Sequence, residues 1–251
     1  MNAHGGDIEA AIAPLLPGFA AEFVPEIDST NTELMRRARA GRTGPVLLAA
    51  QIQTAGRGRL GRGWHSVSGD SLTFSLGLPL APADWSGLSL AVGLAVAEAL
   101  HPRIRLKWPN DLWLDDRKLG GILIETAGAG SPQAPRYAVI GIGLNLKRPA
   151  GEALATPPAA LEELLPDPTA GDTLLRVARP LVEALKAFEL AGFAPLRARF
   201  EARDALRGRH VRLTDGTEGT ASGTSETGGL LVHTAAGMIT VTSAEVSVRP
   251  V

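Results

Sequence analysis

The residues best equipped for chemistry in this chain are cations set among glycines. Gln53-Thr54-Ala55-Gly56-Arg57-Gly58-Arg59-Leu60-Gly61-Arg62-Gly63-Trp64 places Arg57, Arg59 and Arg62 in one short stretch, with no carboxylate until Asp70. A guanidinium fork grips a carboxylate or phosphate with two hydrogen bonds at once, and the intervening glycines let the backbone approach the anion. A solvated surface loop is the plain alternative. Lys107-Trp108-Pro109-Asn110-Asp111 and Arg117-Lys118-Leu119-Gly120-Gly121 form a second group. Folded as a hairpin, it would bring Lys107 and Lys118 onto one anion, although an edge turn with a lysine facing water would use the same residues.

Several chemistries are excluded. Gly56 to Gly61 formally reads G-x-G-x-x-G, but another strand pattern follows instead of a helix, and no acidic residue stands about 20 positions on, so the dinucleotide fingerprint fails. A Gly-Lys-Ser/Thr phosphate loop is missing too. The chain has no cysteine, which removes disulfides, zinc-thiolate sites and any enzyme thioester. His4, His65, His101, His210 and His233 are scattered without ligand spacing, so no protein-ligated metal is expected.

At 251 residues, 45% hydrophobic and 20% charged, the chain reads as a soluble globular protein of one large domain with a small appendage. Its 25 basic and 26 acidic residues leave a net charge of -1, without the surplus of Lys and Arg that a general nucleic-acid binder uses to displace counterions. The first residues carry Asp7 and Glu9 instead of a basic leader, and the apolar stretch Leu88 to Leu100 contains Glu98 and is far short of the roughly 20 residues a membrane span needs. A cytoplasmic protein without membrane or nucleic-acid partners is the expectation.

The elements that must position these residues follow from periodicity. A helix is expected over Asp7 to Leu16, a strand over Phe23 to Ile27, and a helix to Gly41 with a capping box of Thr30 and Glu33. Val46 to Ala50 reads as a buried strand, Leu72 to Leu78 as a half-buried one, and Leu88 to Leu100 as a helix. Ile104 to Trp108 and Leu112 to Leu114 suggest hairpin strands, followed by strands at Ile122 to Ile124 and Tyr137 to Leu146. Gly141 and Gly143 share a face of the last, which offers bare backbone to something lying close against it. Helices are expected over Thr173 to Leu190, kinked at Pro180, and Pro195 to Arg203. Beyond Val211, short β runs separated by Asp215-Gly216, Gly228-Gly229 and Ala236-Gly237 describe a small antiparallel barrel. The fold class is α+β: a mixed sheet with helices on one side over residues 1 to 205, plus a small C-terminal SH3-like β-barrel over 206 to 251.

Together, Ser29-Thr30-Asn31, Gln53 to Trp64, Lys107 to Asp111, Lys118 to Gly121 and Gly141-Ile142-Gly143-Leu144-Asn145 resemble the catalytic core of the biotin protein ligases. The resemblance covers the order and spacing of motifs over about residues 25 to 150, and the small C-terminal β region fits that family. Bifunctional members carry an N-terminal winged helix that reads DNA. Only about 25 residues precede the motifs here, so the monofunctional form is expected.

The resemblance implies that biotin and ATP give biotinyl-5'-AMP and pyrophosphate, and that a lysine of a biotin carboxyl carrier protein then attacks this anhydride. Lys118, Arg57, Arg59 and Lys107 are the implied catalytic cations, with Lys118 at the biotin carboxylate. Asp111 is left open between helping to hold Mg²⁺, orienting the incoming lysine and fixing the hairpin. Ser29, Thr30, Asn31, Gln53, Gly58, Gly121, Gly141 and Gly143, with Arg57, Arg59 and Lys118, are the implied biotin site. Arg57, Arg59, Arg62, Trp64, Lys107, Asn110 and Asn145 are the implied ATP site, with Trp64 stacking on adenine. Mg²⁺ would come with the ATP phosphates, and the protein would act as a monomer or homodimer. The rivals are a lipoate or octanoate ligase of related fold and a non-enzymatic nucleotide-binding module.

Overall fold

The computed structural model describes residues 4–128, 134–148, 158–242 and 248–250. Its larger sheet has seven strands in the order β1 (Ala20–Ile27), β2 (Val46–Gln53), β3 (Ser71–Leu80), β7 (Arg136–Asn145), β6 (Arg117–Ala127), β5 (Asp111–Leu114) and β4 (Arg105–Lys107). β1 and β2 run parallel, joined by the crossover helix α2 (Thr30–Arg39), and every other pairing is antiparallel. Alternation along β2 separates two cores: Leu47 and Ala49 face one, Val46 and Leu48 the other. Helices α1 (Gly5–Ile12), α3 (Leu88–Leu100) and α4 (Ala170–Ala191) pack on the first face. α2 is the helix on the second among the described residues, through Leu34 and Met35, and covers only part of it. The uncovered part holds the site.

Some local expectations change. β3 is buried on both faces, not half-buried, because helices lie on one side and α2 and the arginine loop on the other. α1 ends at Ile12. The cap of α2 is Ser29 instead of Thr30: its backbone is extended and its Oγ accepts from the Thr32 N–H, while Glu33 turns outward to Arg36 and Arg37. α4 runs unbroken through Pro180. The second expected C-terminal helix shrinks to a 3-10 turn and α5 (Arg197–Glu201).

The smaller sheet is antiparallel, in the order β11 (Gly237–Val241), β10 (Leu230–Thr234), β9 (Glu218–Thr224), β8 (His210–Leu213) and β12 (Val248–Pro250), an SH3-like arrangement. It is stitched to the larger one. Leu106 N–H donates to Arg203 O at 2.8 Å and Ala205 N–H to Leu106 O at 2.9 Å, so the connecting segment lies along β4. Trp108 Nε1 donates to Gly228 O at 3.0 Å across the same seam.

Asp204 is buried at this seam. Its Oδ1 accepts from Leu206 N–H at 2.8 Å, and its Oδ2 has no partner among the described residues. Burial pushes its carboxyl above the ordinary 3.8, outweighing backbone donors at Leu206 and Arg207. Stability from a raised carboxyl is fully present below the unfolded value and is lost as pH rises through the folded one. Asp204→Asn keeps an acceptor at Oδ1 and removes the buried charge. The variant should therefore unfold at higher urea than the parent near pH 7, with the difference closing toward about pH 4. Equal midpoints at both pH values would contradict this.

Candidate functional site

Strand register assembles the site. One cross-strand row runs Ala50, Thr73, Gly143, Gly121, Asp111, Lys107, and the next runs Leu48, Ser75, Gly141, Leu123. These rows lie on the α2 face. Lys118 should point the opposite way from Gly121, three positions along the same strand. A register shift between Leu112 and Trp113 breaks the alternation, and Lys118 Nζ lies over Gly121, about 3.2 Å from where a Cβ would be. The bulge is what brings Lys118 into the cleft.

The floor is neutral and densely hydrogen-bonded. Thr30 N–H and Oγ1 both donate to Gln53 Oε1, at 2.7 and 3.1 Å. Ser75 Oγ donates to Asn31 Oδ1 at 2.6 Å and lies 2.7 Å from Thr30 Oγ1. Asn31 Nδ2 donates to Leu123 O and to Glu125. Ser29, Thr30 and Asn31 are buried at the start of α2, where N–H groups of the first turn also gather.

The rim is cationic. The arginine stretch is a small hairpin: Arg57 and Gly63 form an antiparallel bridge, Gly58 N–H donates to Arg62 O at 2.7 Å, and Leu60 and Gly61 turn the tip with positive φ. This is more ordered than a plain solvated surface loop. Arg59 Nη1 donates to Asn110 Oδ1 at 2.9 Å, Lys118 Nζ lies 2.7 Å from Asp111 Oδ1, and Arg57 is ion-paired with Glu125. Lys107 Nζ sits over the Trp113 ring at 4.8 Å. Burial holds the Arg59 guanidinium below its ordinary range, Asp111 opposes that shift and Arg62 adds to it. Arg59 Nη2 and Trp64 Nε1 are buried donors without a partner among the described residues. Such donors call for an acceptor.

Together these groups enclose a cleft of about 150 Å³. It is lined by Ser29, Thr30, Asn31, Gln53, Arg57, Gly58, Arg59, Arg62, Trp64, Lys107, Asn110, Asp111, Lys118, Gly121, Gly141 and Gly143. Asn145 is the exception among the expected residues. It is buried beside the cleft, donating to Ala159 O at 3.0 Å and Lys118 O at 3.4 Å, so it ties down the Lys118 strand. Something does lie close against the bare glycines. The groups that press on them belong to the protein: a Cβ on Gly141 would meet Asn31 Oδ1 at 2.1 Å, and one on Gly143 would meet the Trp64 indole at 2.4 Å. The flat ring over Gly143 is thus Trp64 itself. Sequence reasoning missed Ser75, Thr73 and Glu125. Thr73 and Ser75 occupy the small polar positions alternating with Leu72, Phe74 and Leu76, a signal that marked a second, packed face of β3.

Known proteins share this fold. The model of the biotin/lipoate A/B protein ligase family matches residues 23–145, and that of the biotin protein ligase C-terminal domain matches residues 207–249. The bifunctional ligase/repressor BirA of Escherichia coli is 35% identical over 87% of this chain and 70% of its own length. The biotin--[acetyl-CoA-carboxylase] ligase of Paracoccus denitrificans is 34% identical over 87% of this chain and 96% of its own. The structure of the Aquifex aeolicus biotin protein ligase in complex with biotin and ATP superposes with a TM-score of 0.77 at 32% identity, covering 92% of this chain and 99% of that one. The fold is that of a ligase. The chain belongs to the biotin protein ligase family.

Ser75 links the two ends of the floor. Ser75→Ala removes the donor to Asn31 Oδ1 in a fully buried setting, so the variant should lose about 1 to 3 kcal/mol of stability. An unchanged urea midpoint would mean that the floor does not depend on this bond.

Proposed function

We propose that the protein is an ATP-dependent biotin-[acetyl-CoA-carboxylase] ligase. It joins biotin to AMP and then passes the biotinyl group to one lysine of a biotin carboxyl carrier protein. The observation that carries this reading is the pairing of a neutral hydrogen-bonding floor with a rim of Arg57, Arg59, Arg62, Lys107 and Lys118 in one cleft. Ser29, Thr30, Asn31 and Gln53 suit the ureido head, a neutral group that needs short donors and acceptors. Residues 1–205 form the catalytic unit in this reading and 206–251 a second domain docked behind it. Biotin and ATP are substrates, and the enzyme works in the cytoplasm as a monomer or homodimer, without nucleic-acid or membrane partners. Among the described residues no helix is long and apolar enough to cross a membrane.

Activation brings a carboxylate up to the α-phosphate of ATP, which crowds several negative charges together. Fixed cations lower that barrier. Lys118 meets the biotin carboxylate and the phosphoryl oxygens that form beside it in this reading, once it leaves Asp111. Arg57, Arg59 and Arg62 bring charge from the loop side, and Lys107 from the strand edge. A carboxylate oxygen bonds to the α-phosphorus as pyrophosphate leaves. The lysine amine then attacks the carbonyl carbon of the anhydride, loses a proton, and expels AMP with that oxygen attached. The folded loop would keep water from the anhydride. Asp111 holds Lys118 and so fixes the hairpin, and Trp64 and Asn110 face the nucleotide side. The residues present suit Mg²⁺ only as a passenger on the ATP phosphates, where it would neutralise charge.

Biotin should support exchange of labelled pyrophosphate into ATP without any carrier protein, since the first step needs only the small ligands. Exchange with lipoate but not biotin would assign the chain to the lipoate side of the family. Lys118→Ala should slow single-turnover adenylate formation by at least about a hundredfold, with a smaller loss in transfer from supplied biotinyl-5'-AMP, where the carboxylate no longer bears full charge. Equal losses in both steps would reduce Lys118 to general positioning.

A further inference from the structure

Glu125 is not a group that adenylation calls for, yet its carboxylate holds two that are. It lies on β6 opposite Val139, on the face shared by Gly121 and Leu123. Its Oε2 accepts from Asn31 Nδ2 at 2.9 Å and is ion-paired with Arg57 Nη2. Asn31 is itself fixed at both ends, by Ser75 at its oxygen and by Leu123 O at its nitrogen. The carboxylate is therefore set by the floor of the cleft. The Arg57 side chain is 47% exposed and that of Glu125 26%, so the pair sits at the lip. There Glu125 lines a wider depression of about 790 Å³ on the far side of the loop.

A loop rich in cations repels itself, and without an anion its charges would be left to water. Here one is attached instead to a carboxylate anchored beneath. We infer that Glu125 is a positioning residue for the arginine loop: it holds Arg57 against β6 in the ligand-free protein and yields it to the anionic substrate. Asn31 joins that hold to the floor beneath the ligand head. The identity of the anion rests on the proposed function, whereas the hold itself does not. A half-exposed pair is weak enough to exchange, which suits a hold that must be released.

Trypsin tests this on the full, ligand-free chain, because Arg57, Arg59 and Arg62 are its own cleavage sites. At low salt, Glu125→Gln should be cut in the loop about three- to tenfold faster than the parent, with no change in thermal midpoint. Added salt should speed the parent toward the variant and leave the variant's rate unchanged, since only the parent has a charge pair to screen. Glu125→Asp, which keeps the charge, should stay slow at low salt. Parent-like cutting of E125Q, equal acceleration in E125D, or the same salt response in parent and E125Q would overturn the assignment. Should E125Q fail to fold, a parent rate indifferent to salt would overturn it equally. Lack of biotin-dependent pyrophosphate exchange in the parent would remove the proposed function and leave these rates standing.

Discussion

Gathering positive charge into one small cleft is the constraint on which the rest of this structure turns. Arg57, Arg59, Arg62, Lys107 and Lys118 line the same space in a chain whose net charge is -1. Like charges at close range repel, and Arg62 already counts against the charge on Arg59. The fold answers with local partners: Glu125 for Arg57, Asn110 for Arg59, Asp111 for Lys118 and the Trp113 ring for Lys107. Each partner sits on the strands of the large sheet or the turn between them. The cleft is thus built before any anion arrives, and an incoming phosphate competes with protein groups instead of ordering a loose loop alone.

Those partners meet the cations only because the sheet is shaped for them. The bulge opposite Leu112 and Trp113 turns Lys118 onto the face of Gly121. Missing side chains at Gly141 and Gly143 admit Asn31 and Trp64 against the backbone, so a helix start and a loop residue reach the sheet at van der Waals distance. The same face carries Ser75, which closes the floor. A second constraint comes from behind: the segment 203–205 and the carbonyl of Gly228 bind Leu106 and Trp108, the residues that flank Lys107. Packing of the small sheet and placement of a cleft lysine are therefore one structural problem.

Much of this was legible in the residues alone. The strand at Tyr137 to Leu146 and the helix Leu88–Leu100 follow from dense apolar periodicity, and the arginine, lysine and asparagine motifs mark the rim because such clusters have no structural purpose of their own. What a linear reading lacks is which group fills a bare backbone. Gly141 and Gly143 announce close approach, but Asn31 and Trp64 are distant in sequence and only the register names them. The partners of Asn145 were hidden for the same reason: an asparagine at the end of a glycine-rich strand does not announce its bonds to Ala159 and Lys118. Glu125 was invisible because a carboxylate on a strand next to threonine reads as a solvated edge.

The central claim is that this cleft drives attack of a carboxylate oxygen on the α-phosphorus of ATP. Oxygen tracing tests it directly. Biotin labelled with ¹⁸O in its carboxyl group, incubated with ATP, the enzyme and an acceptor carrier domain, should yield AMP carrying one labelled oxygen, and pyrophosphate carrying none. Label in a phosphate released from the γ-position, or AMP free of label while the carrier gains biotin, would contradict the account.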